Sequence, residues 1–337
     1  MIAATWPRGS NEAERLLRID PARGAMRDHL VADLPSLLDP GDLLVVNDAA
    51  TLPASLRGET NRGEPIEVRL LAELDASTWS AVLFGRGDWR TDTDLRPAPP
   101  EVRRAVLATL AVAIEPICGR IVRLRFDAPR SRILDAIYAH GRPVQYAYTA
   151  DELPLEAVKT GYASRPWAAE MPSAGRALRF GVLLEVLRRG VELAALTHAA
   201  GLSACGAVAL DRALPLPERF EIPPRTADAI AAARQRGGRV VAVGTSTVRA
   251  LEASVREHGG QVRAGHGVTD LRIDGDFLPR VVSGLITNMH ERGESHFELL
   301  SAFAPASLLE RATAHANAAG YLAHEFGDSA LILAARV

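Results

Sequence analysis

The sequence predicts an α/β core with a mainly parallel sheet, into which a β-rich, barrel-like domain is inserted. Two patterns support this prediction. Strand-like and helix-like segments alternate after Pro172, which is typical of parallel α/β sheets, whereas short strand-like runs fill the chain from about residue 52 to 127. The predicted core therefore comprises residues 1–60 and 146–337, and the predicted insertion comprises residues 61–145.

The first core strand follows the turn at Pro40 and Gly41 in the segment PGDLLVVND. Residues 43–46 are apolar without interruption, and such a run indicates a strand that is covered on both faces. The insertion then contains short strand-like runs separated by Gly, Pro and Asp: PIEVRLLAEL, TWSAVLFG, ATLAVAI and GRIVRLRF. Such a series favours a small barrel or sandwich.

Helical patterning returns in SRILDAIYAHG, where Ser131 is the expected N-cap and Gly141 the residue expected just past the helix. The alternation then runs through the helix RFGVLLEVLRRG, the strand VELAALTH, the helix TADAIAAARQRGG with Thr226 as its cap, and the strand RVVAV. A helix capped by Thr245 or Ser246 is expected next. It precedes the strand VVSGLITN, the helices SHFELLSAF and ASLLERATAHANAAG, and a last strand, SALILAA.

Composition and charge exclude several classes of protein. Of the 337 residues, 47% are hydrophobic and 24% charged, as in ordinary globular proteins, and the formal net charge of −2 excludes a chain-wide basic surface for nucleic acid. Cys118 and Cys205 are the only cysteines and form no disulfide framework. Without a signal-peptide pattern or an apolar run of ~18 residues, the expectation is a cytoplasmic protein with no membrane contact.

Polar residues follow four of the predicted strands. The carboxyl ends of parallel strands meet at one edge of an α/β sheet, where ligands bind, so a site is predicted there. These residues are Asn47 and Asp48, Thr197 and His198, Gly244, Thr245 and Ser246, and Thr287, Asn288 and His290. A strand-to-helix turn such as that at Gly244 often holds an anion or polar ligand, although an ordinary turn explains it equally well.

Several side chains near these ends have suitable chemistry. Imidazole titrates near neutrality, so His198 and His290 are candidate acid–base groups, although each is also explained as an ordinary turn histidine. Arg249 lies one helical turn past Gly244 and can reach the same pocket. Possible charge partners for a cation are Glu67, Glu218, Glu252 and Asp328.

Known motifs narrow the choice further. The sequence has no helical i, i+4 pair of metal ligands, so no metal is expected. It also lacks a Gly-x-Gly-x-x-Gly fingerprint, a Walker loop and a Gly-x-Ser-x-Gly elbow, which argues against an NAD(P) enzyme, an NTPase and an α/β-hydrolase.

Several segments together resemble one family, the S-adenosylmethionine:tRNA ribosyltransferase-isomerases of queuosine biosynthesis. The segments, in chain order, are LPSLLDPGDLLVVNDAATLPASLRG, VQYAYTADELPLEAVKTGYA, PSAGRALRF, VVAVGTSTVRALE, VVSGLITNMH and HEFGDSALIL. The resemblance runs from about Leu30 to Leu333. It implies the α/β core with an inserted barrel that the residue patterns predict independently.

The resemblance also implies a reaction. Such enzymes attach the ribosyl part of S-adenosylmethionine to the aminomethyl group of a 7-deazaguanine in a tRNA anticodon, where the sugar becomes an epoxycyclopentane and adenine and methionine leave. The substrate brings the reactive bonds, and the protein supplies position and electrostatics. On this basis His198, Glu218 and His290 are the expected catalytic residues. The expected binding residues are Asn47, Asp48, Gly244, Thr245, Ser246, Arg249, Thr287 and Asn288.

The sequence departs from the family pattern at several cationic or imidazole positions. Arg179 replaces a histidine, Ala50 replaces an arginine, and LPLPE keeps Glu218 without the two histidines before it. Ala200 and Leu202 replace glycines, IDGD replaces Pro-Gly-Tyr, and Glu291, Arg292 and Glu294 stand where a lysine is expected. A phosphate backbone is bound by Lys and Arg, so tRNA as a partner stays open.

Three functions remain. The first is the family reaction on tRNA. The second is a paralogue that uses S-adenosylmethionine with a small-molecule acceptor or simply cleaves it. The third is a nucleoside-binding module without turnover.

Overall fold

A computed structural model of the chain describes residues 1–7, 14–290 and 295–334. The described strands are β1 (Ile2–Ala3), β2 (Arg15–Asp20), β3 (Ala25–Leu30), β4 (Leu43–Asn47), β5 (Ala49–Thr51), β6 (Ser55–Thr60), β7 (Pro65–Glu73), β8 (Thr78–Phe84), β9 (Arg104–Leu107), β10 (Leu110–Cys118), β11 (Ile121–Phe126), β12 (Arg165–Ala168), β13 (Glu192–His198), β14 (Glu218–Ile222), β15 (Val240–Val243), β16 (Gly265–Thr269), β17 (Gly284–Asn288), β18 (Leu322–Ala323) and β19 (Ser329–Leu333).

The described α-helices are α1 (Leu34–Leu37), α2 (Arg130–His140), α3 (Phe180–Arg188), α4 (Val208–Asp211), α5 (Pro224–Gln235), α6 (Thr245–Glu257), α7 (Ser295–Leu300) and α8 (Ala306–Ala318). None of the helices in these ranges has the length and apolarity that crossing a membrane requires.

The core of the described chain is a nine-stranded sheet in the order β16-β14-β13-β4-β15-β17-β19-β2-β3. Its four central strands, β13, β4, β15 and β17, are parallel, as predicted. The outer strands are mixed, because β14 and β16 run antiparallel on one side and β19 runs antiparallel to β17 on the other. The carboxyl ends of the four central strands therefore lie at one edge.

The uninterrupted apolar run in β4 is explained by helices on both faces of the sheet. Leu43 and Val45 pack into the hydrophobic cluster that contains side chains of α5, α6 and α8. Leu44 and Val46 alternate with them and pack against α1 and α3 on the other face. Because successive strand residues point to opposite faces, a strand between two helical layers has no polar side.

A closed barrel is formed by β10, β11, β8, β7, β6 and β9, all within the continuously described stretch 14–290. Its own hydrophobic cluster is separate from those of the sheet. Gly58 of β6 lies where the barrel closes, and a Cβ at this position would lie 1.9 Å from the carbonyl oxygen of Val106. The first barrel strand, β6, lies ahead of residue 61, so we propose that the insertion begins near Ser55 rather than at residue 61.

Two adjacent short strands connect the barrel to the core. The chain leaves the sheet through β5 and returns through β12, and these two strands pair in parallel, with Arg165 opposite Ala49. Both connections therefore lie side by side, close to the carboxyl end of β4.

Three predicted helix caps are wrong. Helix α2 starts at Arg130 after Pro129, not after Ser131, and α5 starts at Pro224 after Pro223. Proline is well suited to these positions because it lacks an N–H and has a fixed φ. The Thr226 hydroxyl instead donates a hydrogen bond to the carbonyl of Ala195, which joins α5 to β13. The third cap, at Gly244, is described with the site.

Candidate active site

A cavity of about 960 Å³ lies at the carboxyl edge of the sheet, between the core and the barrel. Most of the residues predicted to form the site contribute to its wall: Glu218, Gly244, Thr245, Ser246, Arg249, Thr287, Asn288 and His290. Asn47, Asp48 and His198 do not line the cavity: Asn47 and His198 are buried behind its wall, and Asp48 is half-buried next to Asn47. The predicted site residues therefore occupy two layers.

Gly244 makes the sharp turn from β15 into α6. Its φ of 88° lies in the left-handed region that favours glycine, and its N–H donates to the carbonyl of Ile286 in β17. Gly244 is itself the N-cap, and neither Thr245 nor Ser246 caps the helix as predicted. Both hydroxyl side chains are half-buried in the cavity wall, beside the first backbone N–H groups of the helix.

Asn47 joins three elements at the edge of the sheet. Its Nδ2 donates to the carbonyl of His198 at 3.0 Å and to the Ser246 hydroxyl at 3.1 Å. Its Oδ1 accepts hydrogen bonds from the N–H groups of His198, at 2.9 Å, and Ala49, at 3.0 Å. Asn47 therefore fixes β4, β13 and the start of α6 relative to one another.

Asp48 binds β13 from the next position. The Thr197 hydroxyl donates to Asp48 Oδ1 at 2.6 Å, and the Asp48 carbonyl accepts the N–H of Ser164 at 2.7 Å. Asp48 thus holds the chain that returns from the barrel against the edge of the sheet.

Glu218, Arg249 and His198 form a cluster that reaches from the cavity into the protein interior. Arg249 Nη1 donates to Glu218 Oε2, and Arg249 Nε donates to the carbonyl of Leu271 at 3.1 Å. The N–H of Gly201 donates to the other carboxylate oxygen of Glu218. Burial raises the pKa of Glu218, and the Arg249 charge opposes that rise.

His198 lies on the inner side of this cluster, and its side chain is fully buried. Its Nε2 is 3.5 Å from Glu218 Oε2, and neither ring nitrogen makes a hydrogen bond within the described residues. Burial, and then the positive charge of Arg249, lowers the pKa of His198 well below its usual range. The imidazole is therefore neutral, and it lies next to Glu218 on the side away from the cavity.

His290 closes the other side of the cavity. Its Nε2 lies 3.1 Å from the Thr287 hydroxyl, and its ring stacks on that of His296, with ring centroids 4.9 Å apart. Asn288 Nδ2 donates to the carbonyl of His324 at 3.0 Å. Glu291, Arg292 and Glu294, which replace the family's lysine segment, lie outside the described residues.

The other predicted charge partners bind within the protein. Glu67 pairs with Arg69 and Arg96 inside the barrel, each at 2.9 Å. Glu252 accepts backbone N–H groups at the start of the segment leading to β17, and Asp328 accepts the N–H of Leu322 at 2.9 Å. None of the three lines the cavity.

Part of the wall was missed by reasoning from the sequence. Its residues come from segments that are distant in the chain and carry no strand-end signal: Tyr146, Tyr148, Glu170, Ser203, His324 and Glu325. The two tyrosines of Tyr-Ala-Tyr were the available signal, although the structure places them in a turn, which the hydrogen bond from the Thr149 N–H to the Tyr146 carbonyl closes.

Carboxylates outnumber guanidinium groups in the cavity wall. The carboxylates are Asp92, Asp94, Glu170, Asp211, Glu218, Asp274, Glu298 and Glu325, and the guanidinium groups are those of Arg212, Arg249 and Arg272. Within residues 1–7, 14–290 and 295–334, no three His, Cys, Asp or Glu side chains come together as a metal site. The wall suits a cationic organic ligand.

The buried state of His198 predicts a pH dependence of stability. Its folded pKa is depressed, so below about pH 6.5 the unfolded chain binds a proton that the folded chain does not, and stability falls by at most ~1.4 kcal/mol per pH unit. Glu218 acts in the opposite sense, because its raised pKa stabilises the folded chain as pH falls towards 4.5. Urea unfolding at pH 7.5 and 5.5 should show a smaller loss for His198→Gln than for the wild type.

The matched control is His140→Gln, at an exposed histidine, which should keep the wild-type loss. If the wild type and His198→Gln lost the same free energy of unfolding between pH 7.5 and 5.5, His198 would not be a buried, neutral imidazole.

Comparisons with known proteins agree with this architecture. A family model described as queuosine biosynthesis protein matches residues 1–332. An S-adenosylmethionine:tRNA ribosyltransferase-isomerase from Heliobacterium modesticaldum is 31% identical over 98% of this chain and 96% of its own length. A protein of the same name from Thiobacillus denitrificans is 33% identical over 97% of this chain and 93% of its own.

A solved structure supports the fold. The crystal structure of S-adenosylmethionine tRNA ribosyltransferase from Thermotoga maritima matches with a TM-score of 0.55 at 23% identity, covering 98% of this chain and 96% of that one. The predicted α/β core with a barrel is thereby confirmed. From the family match and the near-full-length relatives, the chain belongs to the family of queuosine biosynthesis proteins whose members include the S-adenosylmethionine:tRNA ribosyltransferase-isomerases.

Proposed function

We propose that the chain transfers the ribosyl group of S-adenosylmethionine to the aminomethyl group of a 7-deazaguanine in tRNA and isomerises it, releasing adenine and methionine. The names of the relatives support this activity. The observation that carries the proposal is the acidic cavity at the carboxyl edge of the sheet. S-adenosylmethionine has a sulfonium and an ammonium cation, and carboxylates in a partly buried wall attract both.

The composition of the cavity wall supports a reaction between two substrates. Sites for single small molecules measure ~300–1,000 Å³, so about 960 Å³ lies at the upper end of that range. The wall also combines residues of the core with Asp92 and Asp94 from the segment between barrel strands β8 and β9. A nucleoside and a second base can therefore be held together.

We assign the binding role to the turn after β15 and to the end of β17. The N–H groups at the start of α6, beside Thr245 and Ser246, suit the carboxylate of the methionine part, because helix N-termini favour anions. Gly244 lets the ligand approach the backbone, and Thr287 and Asn288 offer polar groups. Asn47 and Asp48 support this wall from behind, and Arg249 acts by holding Glu218.

We assign the acid–base role to Glu218 and His290, which both line the cavity. The sulfonium makes the neighbouring C5′–H acidic, so a proton acceptor is needed there, and adenine leaves more readily when it is protonated. Burial raises the pKa of the Glu218 carboxyl towards neutral pH, and general acid–base catalysis is efficient when the pKa of the catalytic group lies near the working pH. His198 is a positioning residue behind Glu218.

A second candidate is favoured by one observation. The same excess of carboxylates disfavours phosphate groups inside the cavity, so a small amine is an alternative acceptor. In that case the ribosyl chemistry is unchanged and tRNA is not required.

The test is release of adenine from S-adenosylmethionine, measured by chromatography, together with mass spectrometry of the tRNA. We expect adenine only when the tRNA carries the aminomethyl-deazaguanine, and a matching mass gain on that base. The control is the same tRNA with an ordinary guanine. Adenine formed with a small amine, or without any acceptor, would favour the second candidate, and binding without adenine release would indicate a non-catalytic module.

A further inference from the structure

Three aromatic rings form a continuous stack along the cavity wall. The rings of Tyr146 and Tyr148 have centroids 6.1 Å apart, and those of Tyr148 and His324 are 4.5 Å apart with an angle of 14° between their planes. The guanidinium of Arg69, inside the barrel, lies over the ring of Tyr146 at 5.0 Å. Within the described chain no ring beyond Tyr148 stacks on His324, so the stack ends there.

The backbone of His324 is held in an uncommon conformation. Its φ of 67° is left-handed, and such residues cost of order 1 kcal/mol and concentrate at functional sites. Two hydrogen bonds join this peptide to the end of β17: Asn288 Nδ2 donates to the His324 carbonyl, and the His324 N–H donates to the carbonyl of Met289. The ring is therefore fixed next to residues already assigned to the site.

Two carboxylates bind the tyrosines of the stack. Tyr146 donates to Glu170 Oε1, and the N–H and hydroxyl of Ser203 also donate to Glu170, so this carboxylate is largely occupied. Tyr148 donates to Glu325 Oε2, whereas Glu325 Oε1 accepts no hydrogen bond from the described residues. Glu325 is only half-buried and lines the cavity. Glu325 Oε1 is therefore available to accept a hydrogen bond from a ligand at the His324 end of the stack.

We propose that the His324 end of the stack, with Glu325, is the subsite for the acceptor base, and that it selects a guanine-type edge. Enzymes that modify a base take it out of the nucleic-acid stack and hold it on aromatic side chains. An ionised carboxylate only accepts hydrogen bonds, and a guanine-type edge offers N1–H and the exocyclic 2-amino group as adjacent donors. Adenine instead has an unprotonated ring nitrogen beside its amino group. The lone pair of that nitrogen is repelled by a carboxylate.

This subsite deepens the proposed function and rests on it. In this arrangement S-adenosylmethionine binds the core wall between Gly244 and Asn288, and the acceptor base binds the aromatic stack. Glu170 fixes Tyr146 and thereby the orientation of the stack.

The experiment separates the two substrates. His324→Asn keeps a residue that tolerates left-handed φ, and Glu325→Gln keeps the shape of the side chain. For both variants we expect the KM for a modified anticodon stem-loop to rise about tenfold, since base stacking and charged hydrogen bonds have effects of this order. The Kd for S-adenosylmethionine, measured by calorimetry, should stay within about twofold.

Removing the 2-amino group of the acceptor base provides a second readout. With a stem-loop whose acceptor base has hydrogen in place of the 2-amino group, the wild-type KM should rise about tenfold, and little should be added to the effect of Glu325→Gln, because the same contact is then already lost. Control variants outside the cavity are His140→Asn, at an exposed position, and Glu115→Gln, at a half-buried barrel glutamate paired with Arg125. Both controls should behave as wild type.

Other results would overturn the subsite. A weaker Kd for S-adenosylmethionine with an unchanged KM for the stem-loop would assign the stack to adenine, and no change in either would make it structural. Failure of the proposed function is seen separately, since the wild type would then release no adenine. Calorimetry of the wild type with free 7-aminomethyl-7-deazaguanine would still test the subsite.

Discussion

Replacing Arg249 with methionine is expected to lower the free energy of unfolding by about 3–5 kcal/mol and turnover by on the order of 10²-fold. Arg249 is 8% exposed, and its guanidinium donates to Glu218 and to the carbonyl of Leu271. Without it, the buried Glu218 carboxylate loses its charged partner and either stays an unpaired charge or takes up a proton, and both cost stability. The same change moves Glu218 from the position in which it faces the cavity. Urea unfolding and adenine release measure the two effects.

The double variant Arg249→Met/Glu218→Gln separates the ion pair from packing. Because the uncompensated charge is removed, it should be more stable than Arg249→Met by about 1 kcal/mol or more, while turnover stays low. The control is Arg256→Met on the same helix, whose guanidinium pairs with Glu252 at 2.7 Å outside the cavity. It should turn over normally, and a comparable loss of turnover there would refute a specific role for the Arg249–Glu218 pair.

Replacing Asn47 with alanine is expected to cost about 2–4 kcal/mol of stability and to weaken binding of S-adenosylmethionine at least about tenfold. The Asn47 amide makes four hydrogen bonds, three of them buried, and its loss leaves the N–H and carbonyl of His198 without this partner. Ser246 also loses the donor that fixes its hydroxyl in the cavity wall. Chemical unfolding and calorimetry measure the two changes.

The control is Asn61→Ala, at an exposed barrel position, for which neither quantity should change. Asn47→Asp is the sharper variant, because it places a carboxylate oxygen against the His198 carbonyl. If Asn47→Asp bound S-adenosylmethionine as tightly as the wild type, the supporting role assigned to this residue would be wrong.

The part of the site that the sequence predicts is the part made by strand ends. Asn47, Thr287 and Asn288 each follow an apolar run, and parallel pairing brings such ends together wherever the helices lie. Whether each of these residues reaches the cavity was not predictable. His198 also ends an apolar strand, yet its side chain is fully buried. Its place behind Glu218 depends on β14 running antiparallel to β13, a pairing that no local pattern encodes.

The aromatic stack was not predictable for a related reason. Tyr148 and His324 are far apart in the sequence and are brought together by tertiary packing. Residue propensity and hydrophobic periodicity describe only residues that are close in the chain. Three helix caps were predicted wrongly because proline or glycine takes the N-cap position, and the Thr226 hydroxyl binds the carbonyl of Ala195 in β13 instead.

The parallel pairing of β5 with β12 has an evolutionary consequence. Since the polypeptide departs from and rejoins the sheet at neighbouring positions, everything between these strands can gain, lose or exchange residues while the register of the central strands is preserved. Under the proposed assignment of the Tyr146–Tyr148–His324 stack to the acceptor, we expect mutations there to change which acceptor is admitted without altering the core wall proposed for the sulfonium nucleoside. Divergence in acceptor preference within one lineage needs no new catalytic scaffold.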